Sequence, residues 1–280
     1  MPSPSLPLVD REPVRPSPKA RRVIVGIASA VTVLLLLGGF FNLLTNVARH
    51  QYLVTRTWSG AEVAALAEAR LSNDAGHLEV TGLATRDVHV EVDVTDGLFR
   101  ARHAERLSGD LLRTSGSCPL WFATHCRVDQ RVQLPAGTPL DVHARHGHLT
   151  IRDVDGPVTI DAKFGAVRLT GLGGGGRISH EFNDLTATGL RGAAWQVRHR
   201  FGNTELRFDE APVELRVDVQ FGTTVIVLPD DGASYHVTGE SGFGHRDIEV
   251  RTDPSSDRRI HLDTRFGDVT VRYALGSTGG

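Results

Sequence analysis

Phenylalanine followed by glycine returns down this chain at nearly constant spacing. The pairs are Phe164-Gly165, Phe201-Gly202, Phe221-Gly222, Phe243-Gly244 and Phe266-Gly267, with His146-Gly147 and Phe182-Asn183 as close variants. Successive steps are 18, 18, 19, 20, 22 and 23 residues. A period near 20 residues is the mark of a solenoid, in which each repeat is one coil stacked on the next.

Alignment on the aromatic position exposes a second regularity. Four residues earlier stand Val142, Ile160, Ile178, Val197, Val217 and Leu262, with Gly239 the exception. Two residues earlier stand Ala144, Ala162, His180, His199, Val219, Ser241 and Thr264, and the intervening residues are mostly polar. This is the period of two of a strand with one buried face. After the glycine the phase slips by one, so Leu149 and Ile151, Val167 and Leu169, and Val269 and Val271 point inward. The glycine therefore marks a corner where a positive φ re-aims the chain, and Asn183 is the substitute that best tolerates that backbone. Read this way, Phe164, Phe182, Phe201, Phe221, Phe243 and Phe266 form a structural ladder. Each ring is expected on the inner edge of its corner, stacked on the ring of the next coil as a core plug. Strands one coil apart lie about 4.8 Å from one another, which suits offset ring stacking.

The opposite corners carry turn chemistry, as in "DVDGP" at 153–157, "GLGGGG" at 171–176, "PDDG" at 229–232 and "DPSSD" at 253–257. "GLGGGG" lacks the Lys-Ser/Thr and following helix of a phosphate loop and reads as a flexible corner. Upstream, "RLSNDAGHLEVTG" at 70–82 looks like one more copy with Gly76 as its corner, and "DVHVEVDV" at 87–94 alternates as a strand. Stretch 46–68 has no clear pattern and reads as a stalk, with a short helix possible at 61–70.

Residues Val23 to Leu44 form an uncharged apolar run, about 33 Å long as a helix and enough to cross a hydrocarbon core of about 30 Å. A cleaved signal peptide is the rival, but the run is long for one and Ala48 offers a poor cleavage site. Arg11, Arg15, Lys19, Arg21 and Arg22 precede the run while Arg49 and Arg56 follow it, which predicts a cytoplasmic N-terminus and an extracytoplasmic remainder. The first twenty residues contain six prolines and are expected to be disordered. The two cysteines, Cys118 and Cys126, are close in sequence and suit a disulfide in such a compartment. A zinc site using His125 would lack a fourth ligand and the usual spacing. The expected organisation is a Pro-rich cytoplasmic tail (1–22), a transmembrane helix (23–45), a stalk (46–68), a β-solenoid domain (69–274) and a disordered tail (275–280). The fold class is thus all-β: a parallel β-solenoid ectodomain of about 18–23 residues per coil behind one transmembrane helix.

On these residues the chain resembles a known group. The stretches "VQLPAGTPLDVHARHGHLTIRDVDGPVTIDAKFGAVRLTGL", "FGTTVIVLPDDGASYHVTGESGFGHRDIEV" and "IHLDTRFGDVTVRY" are similar to the bacterial putative-adhesin domain family. The resemblance covers about 69–273 and implies a membrane-anchored or secreted β-solenoid. It brings no catalytic residues. The chain departs from the family in placing Phe where a small polar residue often precedes the glycine.

Little else points to chemistry. The net charge of −2 gives no bulk attraction to nucleic acid. The outward acids Asp161, Asp218 and Asp263 share one column, but Ser179 and Arg198 interrupt it. Such a row reads as a solvated face rather than the facing carboxylates of a glycan-cleaving β-helix enzyme. His180 and His199 fall on the inward track of adjacent coils and read as core histidines, while His143, His146 and His148 form a local cluster with weak potential for metal binding or pH sensing. No cofactor, metal or catalytic site is expected. The leading functional expectation is a non-enzymatic envelope ectodomain binding a surface polymer or protein. The alternatives are a regulatory module acting through the span and, third, a carbohydrate-active enzyme.

Overall fold

A computed structural model of the chain describes residues 18–47, 50–97, 99–119 and 126–274. Most of the Pro-rich segment, residues 120–125 between the two cysteines and stretch 275–280 lie outside these, as do the expectations of disorder made for both tails. The chain divides into two units, 1–47 and 48–280, each taken here by itself.

The first unit is helix α1 (Pro18–Val47). Its stretch Arg21–Leu43 is long and apolar enough to cross a membrane. Leu34, Leu35 and Leu36 are 68%, 71% and 68% exposed.

The second unit is mostly β. It opens with β1 (His50–Trp58), a short helix α2 (Ala61–Ala64), β2 (Glu68–Asn73), β3 (Leu78–Leu83), β4 (Val88–Asp96), β5 (Arg102–Ser108), β6 (Leu111–Ser117) and β7 (Arg127–Pro135). Pairs then follow across successive corners, glycine at all but Asn183: β8 (Leu140–His146) and β9 (Leu149–Arg152), β10 (Val158–Phe164) and β11 (Val167–Thr170), β12 (Gly176–Phe182) and β13 (Leu185–Leu190). The series continues with β14 (Ala194–Phe201) and β15 (Thr204–Phe208), then β16 (Glu214–Phe221) and β17 (Thr224–Leu228). It ends with the short strands β18 (His236–Thr238), β19 (Ser241–Phe243) and β20 (Arg246–Ile248), and the pair β21 (Arg259–Phe266) and β22 (Val269–Tyr273).

These strands make two sheets of eleven among the described residues. The first member of each pair joins one sheet and the second joins the other, so the chain alternates between sheets at every corner. Pairing from β8 through β17 is parallel and aligned on the repeat, with Phe164 opposite Phe182, Phe182 opposite Phe201 and Phe201 opposite Phe221. The expected inward columns are buried: Val142, Ile160, Ile178, Val197, Val217 and Leu262 on one sheet, and Leu149, Ile151, Val167, Leu169, Val269 and Val271 on the other. The upstream copy also stacks, β2 on β8 and β3 on β9, with Gly76 at its corner at φ 125°.

Four features differ from the sequence expectation. The Phe rings do stack, but outside the corner: Phe201 is 37% exposed and Phe266 43%. The cause is the glycine that follows every ring but Phe182. At Gly222, φ is 135°, and a Cβ there would overlap the carbonyl oxygen of Gly202 in the coil below. Backbone packs on backbone at the corner, leaving no room for a ring within it. The period-two count that places Phe inward holds only while the strand runs straight.

The second difference is order. β21 pairs with β16, so Phe266 lies opposite Phe221, and β18 and β19 pair on the far side of β21. The last coil is thus inserted beneath the segment that precedes it in sequence. Burial explains the choice: Ile260, Leu262, Val269 and Val271 of the last coil are fully covered, while β18–β20 are short and half-exposed, as suits an edge.

The third and fourth differences lie at the other end. The expected stalk contains β1, which pairs antiparallel with β4 and sets Tyr52, Val54 and Trp58 beside Val94, Val92 and Val88. β4 pairs antiparallel with β7, and β5 with β6, so the sheets are mixed rather than wholly parallel. The edge strands β1 and β5 terminate the stack there.

The corner geometry inverts the usual ranking of large and small residues. Gly222→Ala forces a left-handed backbone and a steric overlap at once, and is expected to cost several kcal/mol. Phe201→Ala removes a half-exposed ring stacked on two neighbours and is expected to cost about 1–2 kcal/mol, less than the 3–5 of a buried ring. Chemical denaturation of the two variants measures the contrast. A larger loss for Phe201→Ala would place the ring back in the core.

Candidate functional site

The aromatic column is the main surface feature of the β unit. From one end it runs His146, Phe164, Phe182, Phe201, Phe221, Phe266 and Phe243, with centroid separations of 5.1, 4.8, 5.1, 4.9, 4.8 and 5.2 Å. Adjacent ring planes lie 4–8° apart. The rungs repeat at the strand spacing, so the column is about 30 Å long. Each inner ring uses both faces on its neighbours and presents its C–H edge to solvent. A sugar or base cannot lie flat on such a ridge, whereas an apolar surface can press against it. Phe243, the terminal rung, is 72% exposed.

The residue before each ring forms one flank of the ridge: Arg145, Lys163, Glu181, Arg200, Gln220 and Arg265. Glu181 lies 3.7 Å from Lys163 and 3.9 Å from Arg200, and the Arg200 guanidinium sits 6.0 Å from the Phe201 centroid. The residue after each glycine forms the other flank. Its side chains reach along the stack to accept backbone N–H bonds: His77 Nδ1 from His148 (3.2 Å) and His148 Nδ1 from Ala166 (3.2 Å), while Asp129 Oδ1 of β7 accepts from His77 N–H (2.8 Å). Asp184 does the same for Asn203 (3.0 Å), Asn203 for Thr223 (3.2 Å) and Asp268 for His245 (2.8 Å). These side chains serve the corner backbone, which accounts for the Asp, Asn and His found there.

His180 and His199 are 1% exposed, with ring centroids 4.8 Å apart. His180 Nε2 lies 2.9 Å from the Gly165 carbonyl, to which it donates, and His199 Nδ1 pairs with Thr204 Oγ1 at 2.7 Å. Burial, and then the neighbouring His199, push the His180 pKa down to about 4; burial also lowers that of His199. Both rings are therefore neutral core residues at neutral pH.

The remaining candidates separate in space. His143 pairs with Asp141 at 3.3 Å, His146 stacks on Phe164 and His148 stacks on His77 at 5.0 Å. Asp218 and Asp263 are register neighbours, but Asp161 lies apart, with Ser179 and Arg198 between. Among the described residues no cluster of three or more His, Cys, Asp or Glu could hold a metal ion. Cys118 and Cys126 are joined as a disulfide with Cα atoms 5.7 Å apart.

The chain is similar to solved proteins named as putative adhesins. One, a putative cell adhesion protein from Clostridium sporogenes, is 11% identical, with 80% of this chain and 100% of that chain covered and a TM-score of 0.36. Another, a putative adhesin from Bacteroides fragilis, is 11% identical over 80% and 97% of the two chains, with a TM-score of 0.45. A putative adhesin from Parabacteroides distasonis gives 11%, 80%, 97% and 0.31 in the same measures. At such identity nothing about activity passes from them to this chain. No protein-family model matches the chain, and no curated protein matches it.

Sequence reasoning located the rings and their stacking, but put them on the wrong side of the corner and set Phe243 next to Phe221, where the structure has Phe266. The signal was present: Phe164, Phe201, Phe221 and Phe266 each sit between a polar residue and a glycine, a setting for a surface rung rather than a plug.

The buried imidazoles make stability depend on pH. An unfolded histidine takes up its proton near pH 6.5, but folded His180 refuses it until about pH 4. The unfolded state binds more protons in between, so the stabilisation is complete above about 6.5 and is lost as pH falls toward 4. The expected loss is on the order of 3 kcal/mol, and His199 adds in the same direction. Urea unfolding at several pH values reads the slope. His180→Gln should flatten it, and an unchanged slope would mean that other groups control acid sensitivity.

Proposed function

We propose that the chain is a single-pass envelope protein whose α1 segment crosses the membrane and whose β unit is a β-solenoid ectodomain, parallel over its regular coils. In this reading the N-terminus is cytoplasmic, the β unit is extracytoplasmic, and its role is non-enzymatic and adhesin-like: binding an extended surface polymer or a protein. One observation carries the reading, namely the aromatic ridge. Six phenylalanines stack in one line, five of them exposed and Phe182 half-buried, where the fold itself asks only for the corner residues beside them. Exposed apolar patches of this length mark binding surfaces. The topology rests on five basic residues before the span against two after it. The disulfide suits an oxidising compartment.

Two measurements test this. A reporter enzyme active only outside the cytoplasm, fused after Gly280, should be active; activity confined to the cytoplasm would reverse the topology. The full chain in lipid nanodiscs should co-sediment with purified bacterial cell-wall polymer or retain a protein partner. Phe201→Ser with Phe221→Ser should lower that binding at least tenfold while leaving the circular dichroism spectrum unchanged. Undiminished binding by the folded double variant would remove the ridge from the binding surface.

A further inference from the structure

We infer that the occupant of the aromatic ridge is a second copy of this chain, docked ridge to ridge about a two-fold axis parallel to the column. The inference rests on the reading of the ridge as a binding surface and names the partner.

Size is the first argument. Six rings, most of them about 40% exposed, present on the order of 500 Å² of apolar surface. That lies near the upper end of what a monomer leaves open. With the two flanking columns, the footprint reaches the roughly 800 Å² per partner of a standard stable interface. The ridge is also straight and periodic. A surface with the same period matches it at every rung, and this chain carries one.

Charge sets the direction. One flank is basic, with Arg145, Lys163, Arg200 and Arg265 against the single acid Glu181. The other flank, from His148 through Asp184 and Asp268 to His245, holds two acids and no Lys or Arg. A two-fold axis across the columns would lay like flank on like flank in reverse order. Lys163 would then meet Arg265 of the second copy, and Arg200 would meet its own counterpart. A two-fold axis along the columns lays the basic flank of each copy on the acidic flank of the other. Arg265 then faces Asp268 of the second copy, and Lys163 and Arg200 bracket its Asp184. The one like-charge pair created, Glu181 with Asp184, sits between Lys163 and Arg200, which already contact Glu181. Opposed charges favour the co-directional arrangement.

This geometry has an unusual signature. About a two-fold axis along the column, every rung meets its own counterpart. In the reversed arrangement only the central rung, Phe201, does so. The test uses the full chain in nanodiscs holding more than one copy, with Phe164→Cys, Phe201→Cys and Phe266→Cys made singly and oxidised mildly. A covalent dimer is expected from all three. A dimer from Phe201→Cys alone would overturn the co-directional arrangement, and a dimer from none would overturn the inference.

Charge exchange gives an independent readout in detergent, where the mass of the wild-type chain should be that of a dimer. Arg265→Asp and Asp268→Arg should each weaken the dimer at least tenfold, and the double exchange should restore it. A dimer that survives Phe201→Ser with Phe221→Ser would be held by α1 and would overturn the inference. A monomeric wild-type chain whose ridge variants still lose polymer binding would also overturn it, while leaving the ridge as a binding surface.

Discussion

The structure depends on parallel strands stacked in register with backbone touching backbone at one corner. Gly147 lies over Gly76, Gly165 over Gly147 and Gly222 over Gly202, each where a Cβ would overlap the carbonyl below. Because that contact tolerates almost no slip, it holds neighbouring coils at the strand spacing. Every column of side chains then inherits this period: the aliphatic rows inside, the buried His180–His199 pair, the hydrogen-bond acceptors beside the glycines and the rings outside. The ladders are consequences of the backbone period rather than independent causes of it. This explains how one rung can be His146 without breaking the stack, and at the one non-glycine corner Asn183 takes a smaller positive φ of 83°.

Much of this architecture was legible because repetition averages out local ambiguity. A single "VRL" decides nothing, but Val142, Ile160, Ile178, Val197 and Val217 at one offset define an inward row. The repeat gave no guidance where it ends. β1, β4 and β5 pair antiparallel, and His50–Trp58 lacks clean alternation because both its faces are largely exposed. The exchange of order between the last coil and its predecessor was invisible for another reason. Sequence spacing records chain order, whereas stacking order is decided by which coil has the better apolar rows.

The surface site was half legible. That the rings would stack followed from spacing; which side of the corner they occupy depends on the glycine's φ, a property of the turn and not of the period. The same reasoning placed His180 and His199 correctly, because they lie two residues before the bend, where the strand is still straight.

The inserted last coil bears on how the protein is made. Synthesis runs from the N-terminus, so strands β18–β20 leave the ribosome before β21 and β22, the strands on which they pair. Until residues 259–273 have emerged, β16 and β17 have open edges and β18–β20 have no partner of their own. Coils up to that point can be added one by one as the chain lengthens. Closure of this end is different: it is a single late event, in which the final strands must slot between two segments made earlier. A chain stopped short of Arg259 would therefore keep an assembled stack with one raw end, open to pairing with any strand nearby.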